Sequence, residues 1–180
     1  MTYRMPHVFM CMALFLAGVL GAGEVLSGGE EAVPDAAMRV NSPAFADGAM
    51  IPPRYSLRGG NISPPLVIEQ IPEKARSLAL TVADPDSPRQ TWIHWVVYDI
   101  PVTNRIDAGT IPGREGLNDF GRRKYDGPTP PSGTHRYVFT VYALDRMLQL
   151  PEGATGPGLA EAMRGHILAR AQLTGLYRHE

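Results

Sequence analysis

The chain has 180 residues, of which 44% are hydrophobic, and its seventeen basic and eighteen acidic side chains give a formal net charge of −1. A one-domain length and a balanced charge leave no basic surface for nucleic acid or for an anionic membrane. Nineteen glycines and seventeen prolines are spread through the body of the chain, which implies many turns and a largely β architecture rather than a low-complexity linker.

At the N-terminus, Arg4 and His7 precede an apolar run from Val8 to Leu20, and Gly21, Ala22 and Gly23 follow. Basic start, apolar middle and small-residue exit are the parts of a secretory signal peptide. The run is short for a membrane span. Residues 1–23 are therefore expected to be a signal peptide cleaved after Gly23, giving a periplasmic or secreted protein; an uncleaved anchor is the alternative. Cys11 follows Met10, where lipid attachment would need a small residue. Cleavage removes Arg4 and the only cysteine, leaving sixteen basic against eighteen acidic residues. The mature protein then has no thiol, disulfide or cysteine metal ligand.

Residues 24–37 are small, polar and proline-marked, and read as a flexible lead-in to a domain over 38–180. From Met38 the pattern is strand-like. Asn61-Ile62-Ser63-Pro64-Pro65 is a turn before the apolar run Leu66-Val67-Ile68. Leu78, Leu80 and Val82 alternate with smaller residues at period two, a strand. Trp92 to Tyr98 is apolar on both faces apart from His94, as is Tyr137 to Leu144, so both are expected to be strands buried on two sides. Asn104 to Tyr125 has no sustained period and reads as a long surface excursion. Thr155-Gly156-Pro157 opens a helix. Leu159, Ala162, Met163, His166, Ile167 and Leu173 continue along one helical face, Gly165 marks a close approach to a strand, and Gly175 is the stop.

Two segments carry candidate chemistry. Asp84-Pro85-Asp86-Ser87-Pro88 leaves an apolar strand with two carboxylates two apart, which share a side if the segment stays extended. Gly127-Pro128-Thr129-Pro130-Pro131-Ser132-Gly133-Thr134-His135-Arg136-Tyr137 is a stiff loop that delivers an imidazole to a strand mouth. With His94 in the intervening strand, two histidines and a carboxylate can meet in one sheet. Such a set can hold an anion through ring and backbone N–H groups, or a divalent metal as two histidines and one carboxylate. Spacing does not choose between them. No His-Glu-x-x-His, Gly-x-Ser-x-Gly or phosphate-loop motif is present, so nucleophilic catalysis has no motif behind it.

At these residues the chain resembles the phosphatidylethanolamine-binding proteins, also called Raf kinase inhibitor proteins, and it looks closest to their bacterial branch. The matching segments are Asn61 to Pro65, Asp84 to Pro88, Trp92 to Tyr98, Tyr125 to Tyr137, and Ala162 to Ala169, which resembles the bacterial C-terminal helix. The resemblance implies a mainly β fold, a β-sandwich with a central antiparallel sheet, a smaller sheet and peripheral helices including a C-terminal one. It also implies an anion cavity lined by Asp84, Asp86, His94 and His135, with Trp92, Gly127, Pro128 and Tyr137 around them. Phosphate groups and phospholipid headgroups are the family's usual ligands. Ser87 stands where alanine is usual, and Thr129 where bacterial relatives often have cysteine.

The expected function is an exported, non-catalytic binding protein for a small anionic ligand, with no cofactor. One alternative is a metal-assisted hydrolase using His94, His135 and Asp84. Another is an interaction or inhibitor module whose Asn104 to Tyr125 excursion contacts a protein partner or closes a homodimer. The kinase-inhibitor role of eukaryotic relatives is not carried to an exported chain.

Overall fold

The computed structural model describes residues 37–179. The expectations for the signal peptide and for residues 24–36 of the lead-in lie outside the described residues. The strands in chain order are β1 (Arg39–Asn41), β2 (Leu66–Glu69), β3 (Ser77–Asp84), β4 (Trp92–Ile100), β5 (Arg105–Ile106), β6 (Arg114–Glu115), β7 (Thr134–Leu144) and β8 (Ile167–Arg178). One α-helix, α1 (Gly156–Met163), and one 3-10 turn, Pro53–Tyr55, complete the described elements. Three strands form a small sheet in the order β1-β2-β5 and five form a larger one in the order β6-β4-β3-β7-β8, with antiparallel pairing throughout. This is the expected mainly β sandwich.

The main core lies between the sheets. Val40, Leu66, Ile68 and Ile106 from the small sheet meet Leu80, Val82, Trp95, Val97, Phe139, Val141 and Leu173 from the large one. A second cluster on the other face of the large sheet joins Ala79, Val96, Tyr98 and Leu144 to Leu159 and Met163 of α1. β4 and the first half of β3 are thus covered on two sides, which is why their sequences read as nearly continuous apolar runs.

α1 begins where the sequence placed it. Thr155 is its N-cap, accepting from the Gly158 amide, and Pro157 sits in the first turn. It then stops at Met163, four residues before the first residue of β8. Gly165 adopts φ +77 with open space beside its Cα, so it is the left-handed residue that ends a helix rather than a point of close approach. The helical face extended to Leu173 is corrected: Ile167–Arg178 is a strand, paired with β7 from Leu144↔Ile167 to Thr134↔Arg178. Ala171, Leu173 and Tyr177 point inward at period two. Gly175 is no stop either. It lies within β8, where a Cβ would run into the side chains of Ile51 and Phe45.

The large sheet positions the candidate chemistry. β3 lies between β4 and β7, antiparallel to both, so the end of β3 meets the starts of its neighbours. Asp84 pairs with Trp92, and Ala83 pairs with Val138. Asp84, His94 and His135 therefore arrive at one end of the sheet. The pairing of β3 with β4 slips at His94: Val82 opposes Trp95, and the next residue, Ala83, opposes Ile93. His94 is the extra residue of a β-bulge, and a bulge re-aims side chains. Ile93 packs toward the α1 cluster, while His94 turns to the same side as the buried Tyr137.

Candidate functional site

Asp84 is buried and accepts two hydrogen bonds, from the Asp86 amide (2.9 Å) and from Nδ1–H of His135 (2.7 Å). Chain direction changes in the Pro85-Asp86 turn that follows β3. The two carboxylates therefore diverge, and the expectation that Asp86 lines the cavity is corrected. Asp86 turns to Arg136, accepting from its backbone N (2.9 Å), Nε (2.9 Å) and Nη2 (2.6 Å). Those bonds hold the Asp86 carboxyl at about 2, below the ordinary 3.8. The clamp adds stability above pH 3.8 and loses it as pH falls toward 2. Its mechanical effect is to fix the residue next to His135.

His94 is buried and donates its Nδ1–H to the carbonyl oxygen of Asp126 at 2.7 Å. That bond assigns the tautomer: on the neutral ring, Nε2 carries the lone pair. Burial lowers the affinity of His94 for a second proton, against smaller opposing effects from the Asp126 carbonyl and Asp84. As pH falls below about 6.5, the unfolded chain takes up a proton that folded His94 resists, so this residue costs stability in that range. Among the described residues every fully buried side-chain nitrogen and oxygen has a hydrogen-bond partner. His94 lines the cavity, and with Nδ1–H committed to Asp126 its Nε2 is the ring nitrogen that can meet a ligand.

That cavity has a volume of about 150 Å³ and is lined by Asp84, Trp92 and His94, together with Ser87, Phe120, Thr129 and Pro131. It has room for about five waters or one small oxyanion. Trp92 and His94 both meet Phe120 edge-on, at 5.6 Å and 5.2 Å between ring centres, and His94 meets Tyr137 at 5.1 Å. A larger recess of about 620 Å³ exists elsewhere, but the imidazole and buried carboxylate converge on the smaller one.

The remaining expected residues act from behind this wall. His135 reaches the cavity through Asp84. The Tyr137 hydroxyl accepts from the Thr129 amide at 3.2 Å, and burial, with the charge of Asp84, keeps it protonated. Gly127 donates its amide to Asn61 Oδ1 at 2.7 Å. A Cβ on Gly127 would strike the backbone of Tyr55 to Leu57, so only glycine lets the two segments touch. The Pro128 carbonyl accepts from the Leu57 amide at 3.1 Å, and its ring borders a separate shallow recess with Arg58 and Tyr177. Gly127 and Pro128 therefore shape the loop and do not line the cavity.

Several residues were not expected at the site. Asp126 is fully buried; its carboxylate accepts from Asn118 Nδ2 (2.8 Å), Arg122 Nε (2.9 Å) and Asn61 Nδ2 (3.3 Å). Asn61 adopts φ 53, a left-handed conformation that asparagine tolerates. Asn118 also bonds the His94 carbonyl at 3.2 Å. The Asn61 and Asp126 positions belong to the matched sequence segments, which was the available signal. Asn118, Phe120 and Arg122 gave none, because they lie in the stretch read as a surface excursion. Part of that excursion is structural: β5 pairs with β2, β6 pairs with β4, and the Asp119 amide donates to the Ile93 carbonyl at 2.9 Å.

Among the described residues no group of three His, Cys, Asp or Glu side chains converges to hold a metal. Ser87 and Thr129 bring hydroxyls to the cavity, and neither is hydrogen-bonded to an imidazole. The arrangement offers a lone pair on His94, a carboxylate-backed imidazole at His135 and an aromatic collar. Its fitting chemistry is recognition of a small polar group.

Comparison with known proteins identifies the family and the fold. The family model described as phosphatidylethanolamine-binding protein matches residues 41–178. A UPF0098 protein of Methanothermobacter thermautotrophicus is 48% identical over 149 residues, covering 78% of this chain and 99% of that protein. Another, from Chlamydia pneumoniae, is 46% identical over 147 residues, covering 78% and 98%. Among solved structures, a phosphatidylethanolamine-binding protein homolog from Chlamydia trachomatis superposes with a TM-score of 0.77 at 45% identity, covering 80% of this chain and 99% of that one. YbcL of E. coli, described as a member of the mammalian family, gives 0.75 at 29% identity, covering 81% and 100%. The chain belongs to the phosphatidylethanolamine-binding protein family.

Proposed function

We propose that this protein is an exported, non-catalytic binding protein for a small phosphate-bearing anion. The observation that carries the reading is one small cavity lined by His94, whose Nδ1–H is held by the Asp126 carbonyl, and by Asp84, whose carboxylate is tied from behind by Nδ1–H of His135. A fixed Nδ1 donor leaves Nε2 of His94 for a ligand. The hydroxyls of Ser87 and Thr129, residues that line the same cavity, can donate to an oxyanion. Neutral His94 accepts, which suits a ligand that carries an O–H beside its negative oxygens. Inorganic phosphate and phosphomonoesters have both groups. Calorimetry with inorganic phosphate tests this: His94→Ala and His135→Ala should each weaken binding at least tenfold, and unchanged binding in both would overturn the site.

Export rests on the sequence of residues 1–23. Intact-mass measurement of the protein recovered from the native cell envelope or medium should place its N-terminus at Glu24. A mass retaining Met1 to Gly23 would refute cleavage.

A further inference from the structure

A recess of about 620 Å³ lies outside the candidate site. It occupies the face of the large sheet turned away from the main core. Ala83, Val138 and Tyr142 form its floor, and Ala160 and Met163 of α1 form one side. The helix creates the recess by being short. Its eight residues span about 12 Å, whereas an eleven-residue strand such as β7 spans about 36 Å. Once Gly165 ends the helix and the chain returns as β8, no other described residue covers the rest of this part of the sheet face. The recess stands back to back with the smaller cavity. Asp84, Trp92 and Phe120 line one, and their chain neighbours Pro85, Ile93 and Asp119 line the other.

We propose that this groove is a second binding site, for a neutral or singly cationic small molecule with an apolar body. Its volume lies in the range of small-molecule pockets, about 300–1,000 Å³. Its charge sets the class of ligand. No lysine, arginine or histidine lines it, and its one ionisable group of fixed charge is the Asp119 carboxylate. The positive end of α1 offers an anion little, because Pro157 has no amide hydrogen and Thr155 already accepts from Gly158 and Leu159. Polar anchors exist within the groove: the hydroxyl of Thr140, already bonded to Gln172 Nε2 at 3.1 Å, and the hydroxyl of Thr81. A peptide strand has no purchase here, because the floor strands β3 and β7 are interior to the sheet and hydrogen-bonded on both edges.

A matched pair of fluorophores tests the charge rule. N-phenyl-1-naphthylamine is neutral, and 1-anilinonaphthalene-8-sulfonate adds a sulfonate to nearly the same body. The neutral probe should bind the wild-type protein saturably, at least tenfold more tightly than the sulfonate. Ala160→Trp, at an exposed helix position, should fill the groove and weaken the neutral probe at least tenfold, while phosphate binding at the other cavity is retained. Gln172→Trp fills it from β8 and should do the same, which keeps the test open if one variant misfolds. The proposal is overturned if the wild type shows no saturable binding of the neutral probe, if the sulfonate binds equally well, or if both tryptophans leave binding unchanged. A dimer in sedimentation that Ala160→Trp dissociates would overturn it too, in favour of a self-interface.

Discussion

Asp84→Asn should weaken inorganic phosphate binding at pH 7 about thirtyfold. Two effects of opposite sign are in play. Asp84 lines the cavity, so its charge repels an incoming anion, and removing that charge alone would tighten binding. Asp84 also accepts Nδ1–H of His135 at 2.7 Å and the Asp86 amide at 2.9 Å in a buried site, which holds the cavity wall and the turn that leads to Ser87. A hydrogen bond to a charged group contributes about 2 kcal/mol, a factor of about thirty, and an asparagine can present either its amide hydrogen or its oxygen to Nδ1. The second effect is expected to win, because losing the bond to His135 loosens the wall from which Ser87 meets the anion. Calorimetry at pH 7 decides it: tighter binding in the variant would mean that repulsion by Asp84 outweighs its hold on the wall. Asp86→Asn is the control. That carboxylate faces Arg136, so phosphate affinity should change by less than about threefold.

The parts of the site legible in sequence were those carried by short, stiff segments. Asp84 and His135 stand beside prolines that restrict the chain, and their strands have clear period-two patterns, so their meeting followed from the sheet alone. His94 was visible as a polar interruption, but its direction was not. Strict alternation would send it to the face opposite Trp95, and only the bulge opposite Val82 and Ala83 turns it toward Tyr137. A bulge is a property of two strands paired together, which one strand's sequence does not record. Asp86 failed for the converse reason: the extended geometry that would align it with Asp84 ends at the Pro85-Asp86 turn.

The C-terminal segment shows a competition between local and long-range preference. Ile167 to Arg178 contains Leu, Ala, Arg and Gln, all good helix formers, and Ile167 and Leu173 fall at helical spacing from Leu159 and Met163. The same segment places Ala171, Leu173, Gly175 and Tyr177 at period two. Pairing along the whole of β7, with Leu173 and Tyr177 buried, outweighs propensities of a few tenths of a kcal/mol per residue. The left-handed Gly165 is the local switch between the two regimes.

Asp126→Ala is expected to have the largest effect on stability. The Asp126 carboxylate is fully buried and serves three donors, from Asn61, Asn118 and Arg122. Deleting it leaves Asn118 with only the His94 and Lys124 carbonyls and strips Asn61 and Arg122 of this buried acceptor, although the Arg122 side chain is 43% exposed, and removing one partner of such a network costs about 3 kcal/mol. For a domain of this size that is a fall of about 10 °C in Tm. Asp126→Asn should cost less, since its one remaining oxygen still accepts. Both variants keep the backbone carbonyl that receives Nδ1–H of His94, so they separate packing from tautomer control. The low proton affinity of His94 comes first from burial. If the network is what keeps water away from that ring, its pKa should rise toward the ordinary 6.5 in Asp126→Ala, as read by NMR titration. Phosphate binding should then weaken as His94 Nε2 gains a proton and ceases to accept. A Tm within about 2 °C of wild type would show that Asn61, Asn118 and Arg122 find other partners, and the network would not be what holds His94 in place.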